Sequence, residues 1–312
     1  MNKVLSVIIP AYNEEKMIAI TSKKISQILN DASIEYEIIF VDDGSKDNTW
    51  SEIIQISNEI DKINGIKFSK NFGKEAAIFA GLESASGECC VIIDCDLQHP
   101  PEKIVEMYRL WEEGYEVIEG IKEERGNESV FYRYSAKCFY NLISKATNID
   151  MRRSSDFKLL DRKAVDVIIN MKEKDTFFRA LSSWIGFNTI GITFDVEKRE
   201  EGESKWSKWA LIKYAINNIT TFSAFPMQVV TILGGIVFAI SIILGIQSLY
   251  HKILGQALEG FTTVIIIQLF IGSVIMISLG IIGYYISKIY NQIKERPRYI
   301  IANKCGKVKV KC

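Results

Sequence analysis

The chain is poor in the residues that build metal cages and crosslinks. It has two histidines in 312 residues, and its six cysteines (Cys89, Cys90, Cys95, Cys138, Cys305 and Cys312) contain no Cys-x-x-Cys pair. That combination speaks against a zinc site and against a disulfide framework, and it fits a reducing compartment. No internal repeat and no low-complexity linker divides the sequence. Net charge is also missing: 38 basic residues balance 38 acidic ones. The most telling absence is local. Residues 226–250 and 261–286 contain no charged side chain at all. A helix needs roughly 20 apolar residues to cross the hydrocarbon core of a bilayer, and each run supplies them. A core helix of a soluble domain is shorter and keeps a polar face.

The zero net charge hides an asymmetry. The link between the two runs carries one Lys and one Glu. Beyond the second run stand Lys288, Lys294, Arg296, Arg298, Lys304, Lys307, Lys309 and Lys311 against Glu295 alone. Short basic flanks stay on the cytoplasmic side, so the tail and the N-terminal domain are expected inside and the link outside. No signal peptide is expected before the polar part, because 1–10 is too short and Pro10-Ala11-Tyr12-Asn13 reads as a turn. The predicted organisation is a cytoplasmic catalytic domain over 1–203, an interfacial amphipathic helix over 204–225, a membrane hairpin over 226–287 and a basic tail over 288–312. The expected location is the cytoplasmic membrane, crossed more than once.

The polar part alternates apolar strands (4–10, 36–41, 65–68, 89–93, 117–120) with helical patterns (14–29, 49–60, 74–85, 101–114). This alternation predicts an α/β domain with a mainly parallel sheet. Ligands of such sheets bind at the carboxyl ends of the strands. Three strand ends here carry acidic or turn residues: Tyr12-Asn13-Glu14, Asp42-Asp43-Gly44-Ser45 and Asp94-Cys95-Asp96. Two carboxylates two residues apart, just past a buried strand, suit Mg²⁺ or Mn²⁺, which favour oxygen ligands and share them with phosphates. The plainer alternative is a solvated turn whose Asp caps the next helix.

Seven segments together resemble a known family. PAYNEE (10–15), VDDGSKDNT (41–49), FSKNFGKEAAIFAGL (68–82) and DCDLQHPPE (94–102) are similar to the signatures of family 2 glycosyltransferases with a GT-A fold. SDFKLLDR (155–162), FFRALSSWIGF (177–187) and GESKW (202–206), with the paired apolar runs and RPRYII (296–301), narrow the likeness to polyprenyl-phosphate glycosyltransferases. These include the bactoprenol glucosyltransferases and dolichol-phosphate mannosyltransferase. The resemblance implies transfer of a sugar from a nucleotide donor, UDP-linked in preference to GDP-linked, to an isoprenoid phosphate. It implies Pro10, Tyr12, Glu14, Asp42, Asp43, Asp94 and Cys95 around the nucleotide, and Asp94, Asp96 and Gln98 around the metal. Lys122, Arg133, Arg199, Ser204 and Lys205 would face phosphates, with Lys122 where relatives often carry Arg, so the bidentate fork is lost there. Asp156, Asp96 and Lys205 would carry the chemistry. His99 stands where Asp is frequent.

The acceptor phosphate is largely ionised at neutral pH, with a second pKa of about 6, so it needs no strong base. Asp156 is therefore expected to orient a hydroxyl or a cation as much as to take a proton. Its alternative is a loop Asp before the strand FKLL. A helix over 204–222 places Trp209, Ile212, Ile216 and Ile219 on one face, with Trp206 suited to the headgroup region. A second, over 130–146, carries Phe131, Tyr134, Cys138 and Leu142 beside Arg133 and Lys137. Each serves either the membrane interface or the domain core. The enzymatic rival is a processive polysaccharide synthase, disfavoured because Thr176-Phe177-Phe178-Arg179 lacks the Gln and Trp of a QxxRW motif and two helices make a poor channel. The rival of another class is an inactive membrane scaffold or flippase partner, disfavoured by the intact Asp-x-Asp and Lys205. No nucleic acid is expected as a partner. Homo-oligomerisation stays open, since Gly234, Gly235, Gly280 and Gly283 form no clear GxxxG.

Overall fold

The computed structural model describes residues 3–122, 154–171, 178–194, 225–254 and 260–307. The helices read at 130–146 and 204–222, and the residues Arg133, Arg199, Ser204 and Lys205, lie outside the described residues. The chain forms two compact units, one of residues 1–206 with 296–312 and one of residues 207–295.

The first unit is built on an eight-stranded sheet. Its strands are β1 (Val4–Ala11), β2 (Glu35–Asp42), β3 (Ile63–Phe68), β4 (Cys89–Ile92), β5 (Val117–Lys122), β6 (Ser154–Asp161), β7 (Thr189–Phe194) and β8 (Ile301–Cys305). They lie in the order β7-β5-β6-β4-β1-β2-β3-β8. β1 pairs in parallel with β2 and β4, and β2 with β3. These strands are near-continuous apolar runs because both faces of the sheet are covered. One face carries Leu5, Val7, Ile9, Ile38, Phe40 and Val91. It packs on α1 (Ile18–Asp31) through Ile18, Ile25 and Leu29, on α2 (Thr49–Glu59) through Trp50, Ile53 and Ile56, and on α4 (Lys103–Glu112) through Ile104 and Met107. The opposite face meets α3 (Lys74–Ser84), whose Ala76, Ala77 and Ala80 pack on Ile39, Val41 and Ile66. Small residues let α3 lie close: a Cβ at Gly81 would collide with the side chain of Ile8.

β1 to β3 are laid outward on one side of β1, and β4 returns to its other side. That reversal between β1 and β4 is the switch point where open α/β sheets bind ligands. Beyond β4 the sheet turns mixed: β6 is antiparallel to both β4 and β5, while β7 is parallel to β5. Two short helices follow, α5 (Arg162–Asn170) and α6 (Phe178–Trp184).

Helix α1 starts at Ile18 rather than at residue 14. Residues 14–17 form a tight turn, with the Met17 N–H on the Glu14 carbonyl (2.9 Å), and the N–H groups of Glu14 and Glu15 tie it to Thr49 Oγ1 at the start of α2 (2.9 Å) and to Asp47 in the loop before it (3.3 Å). A second difference concerns the tail. Residues 301–305 form β8, antiparallel to β3, and supply main-chain partners to an otherwise open sheet edge. Tyr299 before it stacks on Phe68 (4.9 Å between ring centroids) and donates its hydroxyl to Glu83. Arg298 lies over the Phe79 ring at 4.1 Å and donates to the carbonyl of Met171.

The second unit holds α7 (Phe225–Ile253) and α8 (Phe261–Ile293), which pack on each other. Each contains a stretch long and apolar enough to cross a membrane, Val230–Gln247 and Phe270–Ile293, and neither stretch is buried within the protein. Phe238 is 68% exposed and Met276 69%. Side chains of this size leave water only against another apolar phase.

Candidate active site

The carboxyl ends of β1, β2 and β4 lie side by side, because Ala11 pairs with Asp42 and Ile8 with Ile92. This register brings the Pro10–Glu14, Asp42–Asp43 and Asp94–Gln98 segments to one edge of the sheet. Pro10 is in β1 and Tyr12 follows it, 41% exposed. The loops are zipped together: Asn13 takes a bond from Lys46 N–H at 2.9 Å and gives its own N–H to Ser45 Oγ at 2.9 Å.

Asp42 and Asp43 are buried. Asp42 accepts the Ser45 N–H at 2.8 Å and lies 3.9 Å from the Lys67 ammonium. Asp43 accepts the N–H groups of Phe72 (2.6 Å) and Gly73 (2.9 Å), and its own N–H goes to the Ala11 carbonyl. Gly73 adopts φ 99°, a conformation that favours glycine. Burial pushes the Asp43 carboxyl above its ordinary range, against the pull of the two amides, with Asp42 adding a smaller push upward.

The second acidic turn is built differently. Leu97 sits at φ 54° and folds the chain back so that the Gln98 N–H reaches Asp96 Oδ1 at 3.2 Å. Asp94 Oδ1 is 2.5 Å from the ammonium of Lys74, the first residue of α3. Cys95 between them points into the core, and its carbonyl accepts the Thr21 hydroxyl at 2.8 Å. Its thiol is buried, and burial pushes it above the ordinary thiol range. His99 stacks on Phe157 (5.2 Å, 13°) with Nδ1 3.9 Å from Asp94, and burial lowers its basicity.

Asp156 is not in a loop. It lies within β6, where Ile92 pairs with Lys158, so Asp94 comes level with it two residues further along. It is 4% exposed. Arg179 of α6 grips it with two bonds, Nε to Oδ1 at 2.6 Å and a terminal nitrogen to Oδ2 at 2.9 Å. Lys74 donates to the same Oδ2 at 2.8 Å. Burial alone would raise this carboxyl. Lys74 and Arg179 outweigh it and hold the group well below the usual carboxylate range. Burial likewise works against the Lys74 charge, and Asp94 with Asp156 overcomes it, keeping the ammonium above its usual range.

Around this chain of alternating charges lie groups that the motifs left without a role. Glu75 accepts the Phe178 N–H at 2.8 Å, and its carboxyl is raised to about 7 by burial and then by the Asp156 charge. Lys158 is fully buried and bonds to Glu119 (2.5 Å) and Ser182 (2.7 Å). Lys74 and Arg179 both fall inside quoted motifs, but neither motif reveals that they converge on one carboxylate. Lys122 ends β5, opposite Phe194 of β7.

The donor set suits a hard divalent cation as an open site. Among the described residues no group of three His, Cys, Asp or Glu forms a closed cage. Asp94 and Asp96 offer carboxylate oxygens on one turn, and Mg²⁺ and Mn²⁺ typically take one or two carboxylates and complete their shell with water and substrate phosphates.

A mostly parallel α/β sheet with an Asp-x-Asp turn at its switch point has the GT-A architecture of glycosyl-transferring enzymes. Residues 6–169 match the glycosyl transferase family 2, and the chain belongs to that family. An uncharacterized glycosyltransferase of Bacillus subtilis, YkcC, is 37% identical over 304 residues, covering 96% of this chain and 94% of that one. The bactoprenol glucosyl transferase of Shigella phage SfV is 34% identical over 301 residues, covering 96% and 98%. Among solved structures, glucosyl-3-phosphoglycerate synthase of Mycobacterium tuberculosis, in complex with Mn²⁺, UDP-glucose and phosphoglyceric acid, is similar with a TM-score of 0.47 and 19% identity over 70% of this chain and 78% of that one.

Proposed function

We propose that the protein transfers one sugar from a nucleoside diphosphate, UDP in the first instance, to polyprenyl phosphate at the cytoplasmic face of a membrane. The observation that carries this is the end-to-end likeness to a bactoprenol glucosyl transferase, which spans both apolar helices as well as the catalytic sheet.

The chemistry of the site agrees. A phosphate monoester is already an adequate nucleophile near neutral pH. Asp156, held ionised by two cations, is a weak base, and its task is to fix Lys74 and Arg179 at the point where charge gathers. Asp94, Asp96 and Gln98 would hold Mg²⁺ or Mn²⁺, which when bound neutralises charge on the departing diphosphate. Pro10, Tyr12, Glu14, Asp42 and Asp43 line the nucleotide side. Lys122, Arg133, Arg199, Ser204 and Lys205 are assigned to the two phosphate groups, whose mutual repulsion must be offset before they meet. The organisation 1–203, 204–225 and 226–287 remains the working division, with the final residues returned to the sheet as β8.

The direct test is to incubate membranes containing the protein with radiolabelled nucleotide sugars and polyprenyl phosphate. An acid-labile lipid carrying one sugar is expected. Long polymer, or transfer that persists without the lipid phosphate, would point to a synthase instead. Lys205→Ala should reduce turnover far more than it weakens binding of free nucleotide, because its charge matters most when both phosphates are present. For topology, a cysteine at position 255 should label from outside cells and one at position 307 should not; the reverse pattern would place the chemistry on the other face.

A further inference from the structure

Lys74 stands between two carboxylates that are not equivalent. Asp156 has a second, bidentate partner in Arg179 and is almost completely buried. Asp94 has Lys74 at 2.5 Å and, among the described residues, its other ionic neighbour is His99 at 3.9 Å. The Asp94 side chain keeps 28% of its surface exposed and that of Lys74 keeps 40%, so both can be reached from solvent. Lys74 also begins a helix directly after Gly73, and its flexible four-carbon stem carries a compact charge that can change partners. The ammonium can thus leave Asp94 without leaving Asp156, and Asp156 stays compensated by Arg179 throughout.

Asp94 is one of the two carboxylates assigned to the divalent cation. A carboxylate oxygen engaged by an ammonium at 2.5 Å is not free for a hard cation, and two cations on one carboxylate repel. We propose that Lys74 is a positioning residue that serves as a place-holding cation: it neutralises Asp94 in the free protein, yields it when a divalent cation arrives, and, still held by Asp156, becomes available to a phosphate oxygen. This deepens the metal assignment made above and rests on it. Its consequence is that the free protein binds the cation more weakly than the carboxylates alone would, so that tight loading waits for the diphosphate.

The test is a titration of the full-length protein in detergent with Mn²⁺ alone, following free Mn²⁺ by electron paramagnetic resonance, with no nucleotide and no lipid present. Removing the competitor in Lys74→Met should tighten Mn²⁺ binding at least about threefold, as expected for loss of a half-exposed ion pair. Lys74→Arg, which keeps the charge, should stay close to the parent. Turnover with the lipid acceptor should fall in Lys74→Met although the metal binds better, a combination that a merely structural defect does not produce. Should Lys74→Met fail to fold, Lys74→Gln is read in the same way. Unchanged or weaker Mn²⁺ binding in the charge-removing variant, with parental binding still abolished by Asp96→Ala, overturns the place-holder alone. Parental Mn²⁺ binding that is absent, or indifferent to Asp96→Ala, overturns the metal assignment and the place-holder with it.

Discussion

Two acidic pairs stand on either side of β1, at the ends of β2 and β4, and they are held in opposite ways. Asp43, beside Asp42 at the end of β2, is buried and gripped by main-chain N–H groups of Phe72 and Gly73. Asp94 and Asp96, after β4, are partly open, and Asp94 is met by the ammonium of Lys74, a side chain 40% exposed. Main-chain amides fixed by a loop cannot follow a ligand, so a carboxylate bound to them organises the scaffold. A carboxylate met by a lysine can exchange that partner for another cation. The same residue type, at the same edge of the same sheet, is fixed by main-chain amides in one place and met by a side-chain cation in the other.

Substitutions can break or sharpen this contrast. The largest effect is expected at the open pair. Asp96→Ala should lower formation of the lipid-linked sugar by about 10²–10³-fold or more, as for loss of a group that stabilises transition-state charge. The thermal melt should stay within about 0.5 kcal/mol of the parent. Full activity of that variant in chelator would remove the open pair from the chemistry. At the buried pair the balance should invert. Asp43→Ala strands two amide donors and should cost about 2–3 kcal/mol in denaturant unfolding. A melt unchanged from the parent would mean that the two pairs do not differ as described.

Glu75 sharpens the contrast through pH. Its carboxyl rises from an ordinary 4.5 to about 7 in the folded protein. The folded state therefore holds a proton that the unfolded chain releases between those values. Stability from this group is complete below about pH 4.5 and is lost as the pH climbs through 7, by an amount on the order of 3 kcal/mol at most. Glu75→Gln should flatten that slope in unfolding curves taken from pH 5 to 8; an identical slope in the variant would assign the dependence elsewhere. The smallest effect is expected at Tyr299→Phe. It keeps the stack on Phe68, at the foot of the loop that carries the Phe72 and Gly73 amides, and loses only the bond to Glu83. About 1 kcal/mol is expected from that bond in a thermal melt. A much larger loss would show that the bond to Glu83 supports the Asp43 side of the site.

The amino-acid sequence by itself determined the broad plan. Strand runs such as VLSVIIP and YEIIFV are apolar on both faces, a local property that survives any packing, and β1 and β2 appear within one or two residues of where the pattern ends. The two charge-free stretches became the long helices α7 and α8 because length and composition alone set their preferred surroundings. The acidic turn and its neighbours were legible as a motif for the same reason. What the sequence left undecided depended on partners far along the chain. Lys74 and Asp156 are 82 residues apart, Arg179 and Asp156 are 23 apart, and Tyr299 reaches Glu83 across 216. Only the antiparallel register of β6 on β4 brings Asp156 level with Asp94, and only the return of β8 to β3 turns an apparent basic tail into a sheet edge. The start of α1 four residues late goes with bonds of the same long reach, from the Glu14 and Glu15 amides to Thr49 at the start of α2 and to Asp47 before it. Periodicity and composition act over a few residues. Charge pairing across a sheet is set by register, and register exists only once the strands have docked.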